Sequence, residues 1–439
     1  MPTEFRIIGS GRNSPGSDDE FREHVKDAIA EHGDEGQPDA DVLGDFLGRV
    51  SFTVSSADDA ADLAGAVGGA QQELGDDAGR LVYLSVPPGA MRAMIEMLGT
   101  SGIAEGARLI VEKPFGIDLK SAKELNATLQ EVVGEDQVFR IDHFLGKEAA
   151  QNILVLRFAN GLFEPAWNRD HIAYVQIDVP EDLDIEGRAG FYESTGALRD
   201  MVSTHLLQLL GFVALEPPVH LSAESLHEEK KKVFDAVAPI DVDRVVFGQY
   251  EGYREEDGVD EDSGVETFVA MELRVNTWRW SDVPFFLRTG KAMAQSRRTI
   301  TIGFREPPLH MFATADGSAA EVPNELVFEL SDDPEVTIDV RAKQPGPALE
   351  ISDARWKLDF AEAFDGHDAL EAYERLLHDV MQGDHTLFTR AGEIERLWEL
   401  CDPVVESHPE VHLYAKGSWG PEAALELTGR RGWRLPDDQ

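Results

Sequence analysis

Along the first third of the chain, short apolar runs alternate with longer stretches of helical spacing. Phe5–Ile8 is an apolar run closed by Gly9-Ser10-Gly11, which reads as a strand entering a turn. Ser17-Asp18-Asp19-Glu20 has the form of a capped helix start, and the helix is expected to run to about His32. Val50–Val54 reads as a strand and Ala57–Leu74 as a helix rich in Ala and Asp. Leu81–Val86 is a buried-strand pattern ending at Pro87-Pro88, followed by a helix to about Leu98. Arg108–Val111 is a further strand, then comes Glu112-Lys113-Pro114-Phe115-Gly116, and Ser121–Val133 is helical again. Strands alternating with helices predict a parallel sheet wound on both faces.

Beyond about residue 170 the pattern changes. Ile172–Val179, Val245–Tyr250, Thr267–Val275, Thr299–Phe304 and Val336–Arg341 alternate apolar with polar positions. These predict a large antiparallel sheet covered on one face. Glu255–Ser263 reads as a solvated acidic hairpin loop, and Asp368–Met381 and Ala391–Leu400 as helices. The fold class is therefore an α/β domain followed by an α+β domain. The boundary falls near residues 145–170, giving domains 1–150 and 151–439.

Composition narrows the function classes. Asp plus Glu number 83 against 40 Lys plus Arg, a formal charge of −43. Such a chain is not built to coat nucleic acid or an anionic membrane, though a local basic pocket remains open to it. A single cysteine, Cys401, excludes an internal disulfide framework and a multi-thiolate zinc site. The longest apolar stretch, about Leu206 to Leu215, is half a membrane span, and the N-terminus has no signal-peptide pattern. We expect a soluble cytoplasmic protein.

Gly9-x-Gly11 after a strand is a weak dinucleotide signal, because Ser14 and Pro15 occupy the positions where a third glycine and a helix start belong. Arg12 is more telling: a guanidinium at that strand end could hold a 2′-phosphate. Asp142-His143-Phe144-Leu145-Gly146-Lys147 is the densest chemical cluster. His143 and Lys147 would share a face of a helix and grip a phosphate, although an Asp-His pair alone is more often structural. Asp200 and His205 open a buried helix, where a histidine is either a satisfied core residue or a general base. Lys291, after Phe285–Gly290, reads on its own as a solvated loop lysine. His408-x-x-x-His412 has metal-like spacing, but Pro409 and the absence of a near third ligand argue against a metal site.

Taken together, these clusters resemble the glucose-6-phosphate dehydrogenase family. The resemblance rests on Glu112–Gly116, Arg140–Glu148, Glu186-Gly187-Arg188, Arg199–His205, Val283–Lys291, Ala372–Leu377 and Gly417–Pro421, in the family's order. It implies a Rossmann-like coenzyme domain and transfer of hydride from C1 of glucose 6-phosphate to NADP. It makes His205 the base and Asp142 its carboxylate partner. His143 and Lys147 become grips for the 6-phosphate, Glu181 and Asp200 acceptors of sugar hydroxyls, and Lys291 a substrate-binding lysine. Lys113 would stand near both nicotinamide and sugar, with Pro114 after a cis bond, and Arg12 would hold the 2′-phosphate. A homodimer or homotetramer is implied as well, with no nucleic acid, membrane or metal partner.

The chain departs from the family pattern in four places. Phe144 stands where a tyrosine is usual, Ser203-Thr204 where Gln-Asn is usual, and Ser296 where a second basic residue is usual, with Arg297 and Arg298 beside it. The fourth is at the front: no strand with a glycine-rich pyrophosphate turn precedes Phe5. That strand is central in a doubly wound sheet, so its loss should open two strand edges. The competing readings are a broader NAD(P)-dependent sugar dehydrogenase, and a degenerate paralogue that binds sugar phosphate without coenzyme.

Overall fold

The computed structural model describes residues 2–33, 38–309, 311–314, 323–331, 334–364 and 370–436. The chain forms two compact units. The first comprises Met1–Gly116, Lys123–Ile141 and Val380–Gly383, and the second Ile117–Ala122, Asp142–Asp379 and Asp384–Gln439.

In the first unit the strands are parallel and joined by helices, as the alternating pattern predicts. Strand Ile7–Gly11 pairs with Val50–Val54 in the register Ile7↔Val50 to Gly11↔Val54. It therefore runs through the glycines read as a turn. The rings of Phe21 and Phe52 meet 5.0 Å apart over this strand, and a Cβ on Gly9 would come within 2.6 Å of Phe21 Cζ. Here glycine makes room for two rings instead of bending the chain. Helix Asp18–His32 begins at Ser17 with the expected capping box to Glu20.

Strands Arg80–Leu84, Ala107–Val111 and Val138–Arg140 form a second parallel sheet, separate from the first pair. Among the described residues, Ile7–Gly11, Val50–Val54, Arg80–Leu84 and Val138–Arg140 each pair on one side only. Ile7, Leu81 and Tyr83 are each about 40% exposed at these strands. Neither helix Asp18–His32 nor helix Ala40–Leu47 carries a buried residue. Val138–Arg140 is too short for a pattern to reveal, yet it delivers the chain to Asp142.

The second unit is built on a ten-stranded sheet. From edge to edge the strands are Ala313–Thr314, Glu350–Asp359, Glu335–Lys343, Glu325–Glu329, Thr299–Phe304, Ile172–Pro180, Pro284–Gly290, Phe268–Arg274, Val245–Tyr250 and Val411–Tyr414. The sheet is mixed where a purely antiparallel one was expected: Ile172–Pro180 runs parallel to Pro284–Gly290, Val245–Tyr250 to Val411–Tyr414, and Ala313–Thr314 to Glu350–Asp359. Helix Leu207–Ala214 is buried at every position, the environment its all-round apolar sequence demands. Glu148–Ala159 and Ala223–Ala236 are helices that the apolar pattern did not signal. The helix expected from Asp368 is Ala372–Gln382, and residues 368 and 369 lie outside the described residues. Among the described residues no helix is long and apolar enough to cross a membrane.

Candidate active site

The site begins where the chain leaves strand Val138–Arg140. Asp142 is buried, and its carboxylate accepts from the Phe144 amide at 3.0 Å, starting a single helical turn, His143–Gly146. Lys147 is then extended (φ −70°, ψ 132°) before helix Glu148–Ala159. His143 and Lys147 thus do not lie on one face of a continuous helix, because the capped turn closes before Lys147. A Cβ on Gly146 would come within 2.7 Å of Ala372 O, so the glycine admits the helix Ala372–Gln382. Tyr373 of that helix stacks on His143 with centroids 6.2 Å apart.

His205 reaches the same place from Leu198–Leu206, a nine-residue π-helix. Ser203 Oγ donates to Arg199 O at 2.9 Å and Thr204 Oγ1 to Asp200 O at 3.4 Å. Hydroxyls bonded to the carbonyls four residues back compete with the α-helical ladder. An α-helix at about 100° per residue would set Asp200 and His205 roughly 140° apart, whereas i→i+5 winding stacks positions five apart.

His205 Nδ1 lies 2.6 Å from Asp142 Oδ1, and both side chains are almost fully buried. A carboxylate only accepts, so Nδ1 carries the proton and Nε2 is the basic nitrogen. Phe144 stacks on the His205 ring at 4.4 Å and His143 meets it edge-on at 4.8 Å. Three neighbours therefore hold the ring, with Nδ1 as the donor. Among the described residues, Asp142, His143 and His205 are the one set of three whose potential ligand atoms gather, within 4.8 Å of each other. His408 instead ends helix Ala391–Ser407 in a left-handed conformation (φ 46°).

Lys291 is 7% exposed and ion-paired with Glu181, which corrects its reading as a solvated loop lysine. Strand Pro284–Gly290, which leads into it, packs on the π-helix. Ser296 Oγ accepts from the Asp182 amide at 3.0 Å, and Arg297 pairs with Glu329. Arg298 is different. Its guanidinium lies 6.0 Å over the Phe144 ring and has no hydrogen-bond or carboxylate partner among the described residues. A half-buried, uncommitted cation over Phe144 is unexpected in a chain with 83 acidic residues. Sequence spacing placed Arg297 and Arg298 together, and only their partners separate them.

Residues 1–152 match the profile described as glucose-6-phosphate dehydrogenase, NAD binding domain, and residues 154–435 its C-terminal domain. The chain belongs to the glucose-6-phosphate dehydrogenase family. It is 42% identical over 360 residues to glucose-6-phosphate 1-dehydrogenase 1 of Mycobacterium tuberculosis, covering 81% of this chain and 75% of that one. The Rhizobium meliloti relative, glucose-6-phosphate 1-dehydrogenase, is 41% identical, with 97% and 90% covered. The crystal structure of the Mycobacterium avium enzyme superposes with a TM-score of 0.88 at 37% identity, over 99% of this chain and 92% of that one. A glucose-6-phosphate dehydrogenase solved in complex with glucose 6-phosphate gives 0.90 at 34%, over 98% and 91%.

The remaining family positions lie in the first unit. Lys113 follows strand Ala107–Val111 and is joined to Pro114 by the expected cis peptide. Arg12 is exposed, one residue past strand Ile7–Gly11, a position that fits the 2′-phosphate of NADP. Helix Asp18–His32, which follows that strand, has Asp18, Asp19 and Glu20 in its first turn and a capping box at its N-cap.

Proposed function

We propose that this chain oxidises glucose 6-phosphate at C1 with His205 as general base and Asp142 as the residue that orients it. The observation that carries this reading is the buried 2.6 Å contact between His205 Nδ1 and Asp142 Oδ1, set beside His143 and Phe144, with Arg298 over the Phe144 ring. NADP, when bound, accepts the hydride from C1. The chain's own residues handle the proton. As the C1–H bond breaks, the O1–H proton passes to His205 Nε2, the O1 electron pair forms the carbonyl, and the product is the 1,5-lactone. Asp142 stabilises the imidazolium that results without itself taking the proton.

Recognition falls to the surrounding groups. His143, Lys147 and Arg298 hold the 6-phosphate; Glu181, Asp200 and Lys291 orient the sugar hydroxyls; Lys113 serves sugar and nicotinamide, and Arg12 the 2′-phosphate. An Arg can face phosphate with two parallel N–H donors, which offsets the hydroxyl lost at Phe144. The paralogue reading, sugar-phosphate binding without chemistry, leaves a buried base and its carboxylate partner without a purpose. Exposed Trp356, Leu358 and Leu349 on and beside strand Glu350–Asp359 support a second copy of the chain as partner, which light scattering on the purified protein checks.

Calorimetry with glucose 6-phosphate and with glucose tests the site. The phosphorylated sugar should bind at least about tenfold more tightly, the worth of one charge-assisted hydrogen bond. Equal affinity for the two sugars would contradict the assignment.

A further inference from the structure

Glu266 stands apart from every other buried acid in the second unit. It is 7% exposed and has no cationic hydrogen-bond or ion-pair partner among the described residues. Its carboxylate Oε1 accepts from the Leu198 amide at 3.0 Å, and its main-chain oxygen accepts from the Ala197 amide at 3.0 Å. Two successive donors at the start of the π-helix Leu198–Leu206 are thus held by one residue. Gly196 just before them has φ 66° and ψ 172°, a break in the preceding helix Ala189–Ala197. A Cβ on Gly196 would overlap the Glu266 carboxylate. The glycine therefore both makes the bend and lets the acid reach the helix end.

The next residue holds another part of the site. Thr267 O accepts from the Lys291 amide at 2.9 Å, while Tyr414 Oη donates to Lys291 O at 2.6 Å and meets Thr267 Oγ1 at 3.0 Å. Glu266-Thr267 is therefore a two-residue bracket. One end fixes the helix bearing Asp200 and His205; the other fixes the main chain of Lys291. Burial pushes the Glu266 carboxyl up, and the Leu198 amide opposes this. Arg199 also favours the ionised form, but no cation bonds to this carboxylate, and a buried acid is an expensive way to cap a helix. A demand for placement explains why an acid of this length occupies the position.

We propose that Glu266 is a positioning residue: its carboxylate sets the π-helix so that His205 meets the sugar O1. The proposal rests on the reading of His205 as base. It goes further by assigning the placement of that base to a residue that acts through the helix and not on the substrate. The relevant property is reach, not charge, because the bond runs to an uncharged amide.

Three substitutions separate reach from charge. Glu266→Gln keeps an acceptor of the same length, Glu266→Asp keeps the charge but falls short, and Glu266→Ala removes both. With glucose 6-phosphate and NADP at saturation, the Asp and Ala variants should lose about 10–100-fold in kcat, the usual effect of a displaced catalytic group. KM for glucose 6-phosphate should stay within about threefold, because the main-chain bonds to Lys291 remain. Glu266→Gln should restore kcat. If Glu266→Asp behaves as the unsubstituted enzyme, or Glu266→Gln fails as Glu266→Ala does, the proposal is wrong. Should Glu266→Ala not fold, the Gln and Asp pair decides alone, with thermal midpoints showing that both are folded. His205→Asn is measured alongside. If it keeps full kcat, the base assignment has failed; if it loses kcat while Glu266→Asp does not, only the present proposal has failed.

Discussion

His205 and Asp142, 63 residues apart in sequence, share a hydrogen bond of 2.6 Å with their side chains 1% and 2% exposed. The contact joins the last turn of the π-helix Leu198–Leu206 to the residue that caps a single helical turn, so the same carboxylate fixes both the local backbone and the imidazole. Asp142→Asn keeps the cap, since an amide oxygen also accepts, but presents an NH₂ group or a neutral oxygen to Nδ1. The wrong tautomer of His205 is then admitted. We expect kcat to fall by about 10²–10⁴ with a folded protein. Near-normal turnover in a stopped-flow or steady-state assay of Asp142→Asn would show that His205 orients itself.

The phosphate assignment predicts a specific pattern. Lys147→Ala and Arg298→Ala should each raise KM for glucose 6-phosphate at least about tenfold, as loss of a charge-assisted bond requires. KM for glucose should hardly change in either. Arg297→Ala, which breaks the pair with Glu329, should leave the ratio of the two KM values in place. A rise for both sugars with Arg298→Ala would make its stacking on Phe144 structural.

Coenzyme choice is testable at Arg12. Arg12→Ala should raise KM for NADP about tenfold or more and leave KM for NAD in place, because only NADP offers the 2′-phosphate. If both coenzymes weaken together, Arg12 supports the strand end and not the phosphate.

A buried ionic group predicts the response to acid. Glu393 Oε2 accepts from Lys230 Nζ at 3.0 Å and Oε1 faces His227 Nδ1 at 2.7 Å, all three nearly inaccessible. Burial pushes the carboxyl up, but Lys230 and His227 outweigh it and hold Glu393 at about 2. A depressed carboxyl stabilises the fold above its unfolded value near 4.3 and loses that contribution as pH falls toward about 2. Glu393→Gln strands the Lys230 charge and should cost about 3–5 kcal/mol in urea unfolding at pH 7. The gap to the unsubstituted protein should narrow between pH 5 and pH 3. A pH-independent gap would place the cost in packing instead.

Much of the site was legible because its chemistry is local. Asp142, His143 and Lys147 fall within six residues, and Ser17 and Glu20 make their capping box at the predicted spacing. What was illegible depends on partners far along the chain. The π-winding of Leu198–Leu206 is a geometry that apolar periodicity cannot separate from an α-helix. Lys291 looked solvated because Glu181 lies 110 residues away. Arg297 and Arg298 are indistinguishable until Glu329 takes one and Phe144 the other. The first parallel strand was misread at Gly9 and Gly11 because rings of Phe21 and Phe52 cover it, and distant rings leave no mark on a glycine's neighbours.

The account rests on His205 taking the O1 proton. The direct measurement is the initial rate of NADPH formation from glucose 6-phosphate by the chain and by His205→Asn, both substrates saturating, with calorimetric binding of glucose 6-phosphate in parallel. The account predicts that kcat falls by about 10²–10⁴ in the variant while sugar-phosphate affinity changes by less than about threefold. Equal rates from the two proteins would contradict it and return His205 to the buried core.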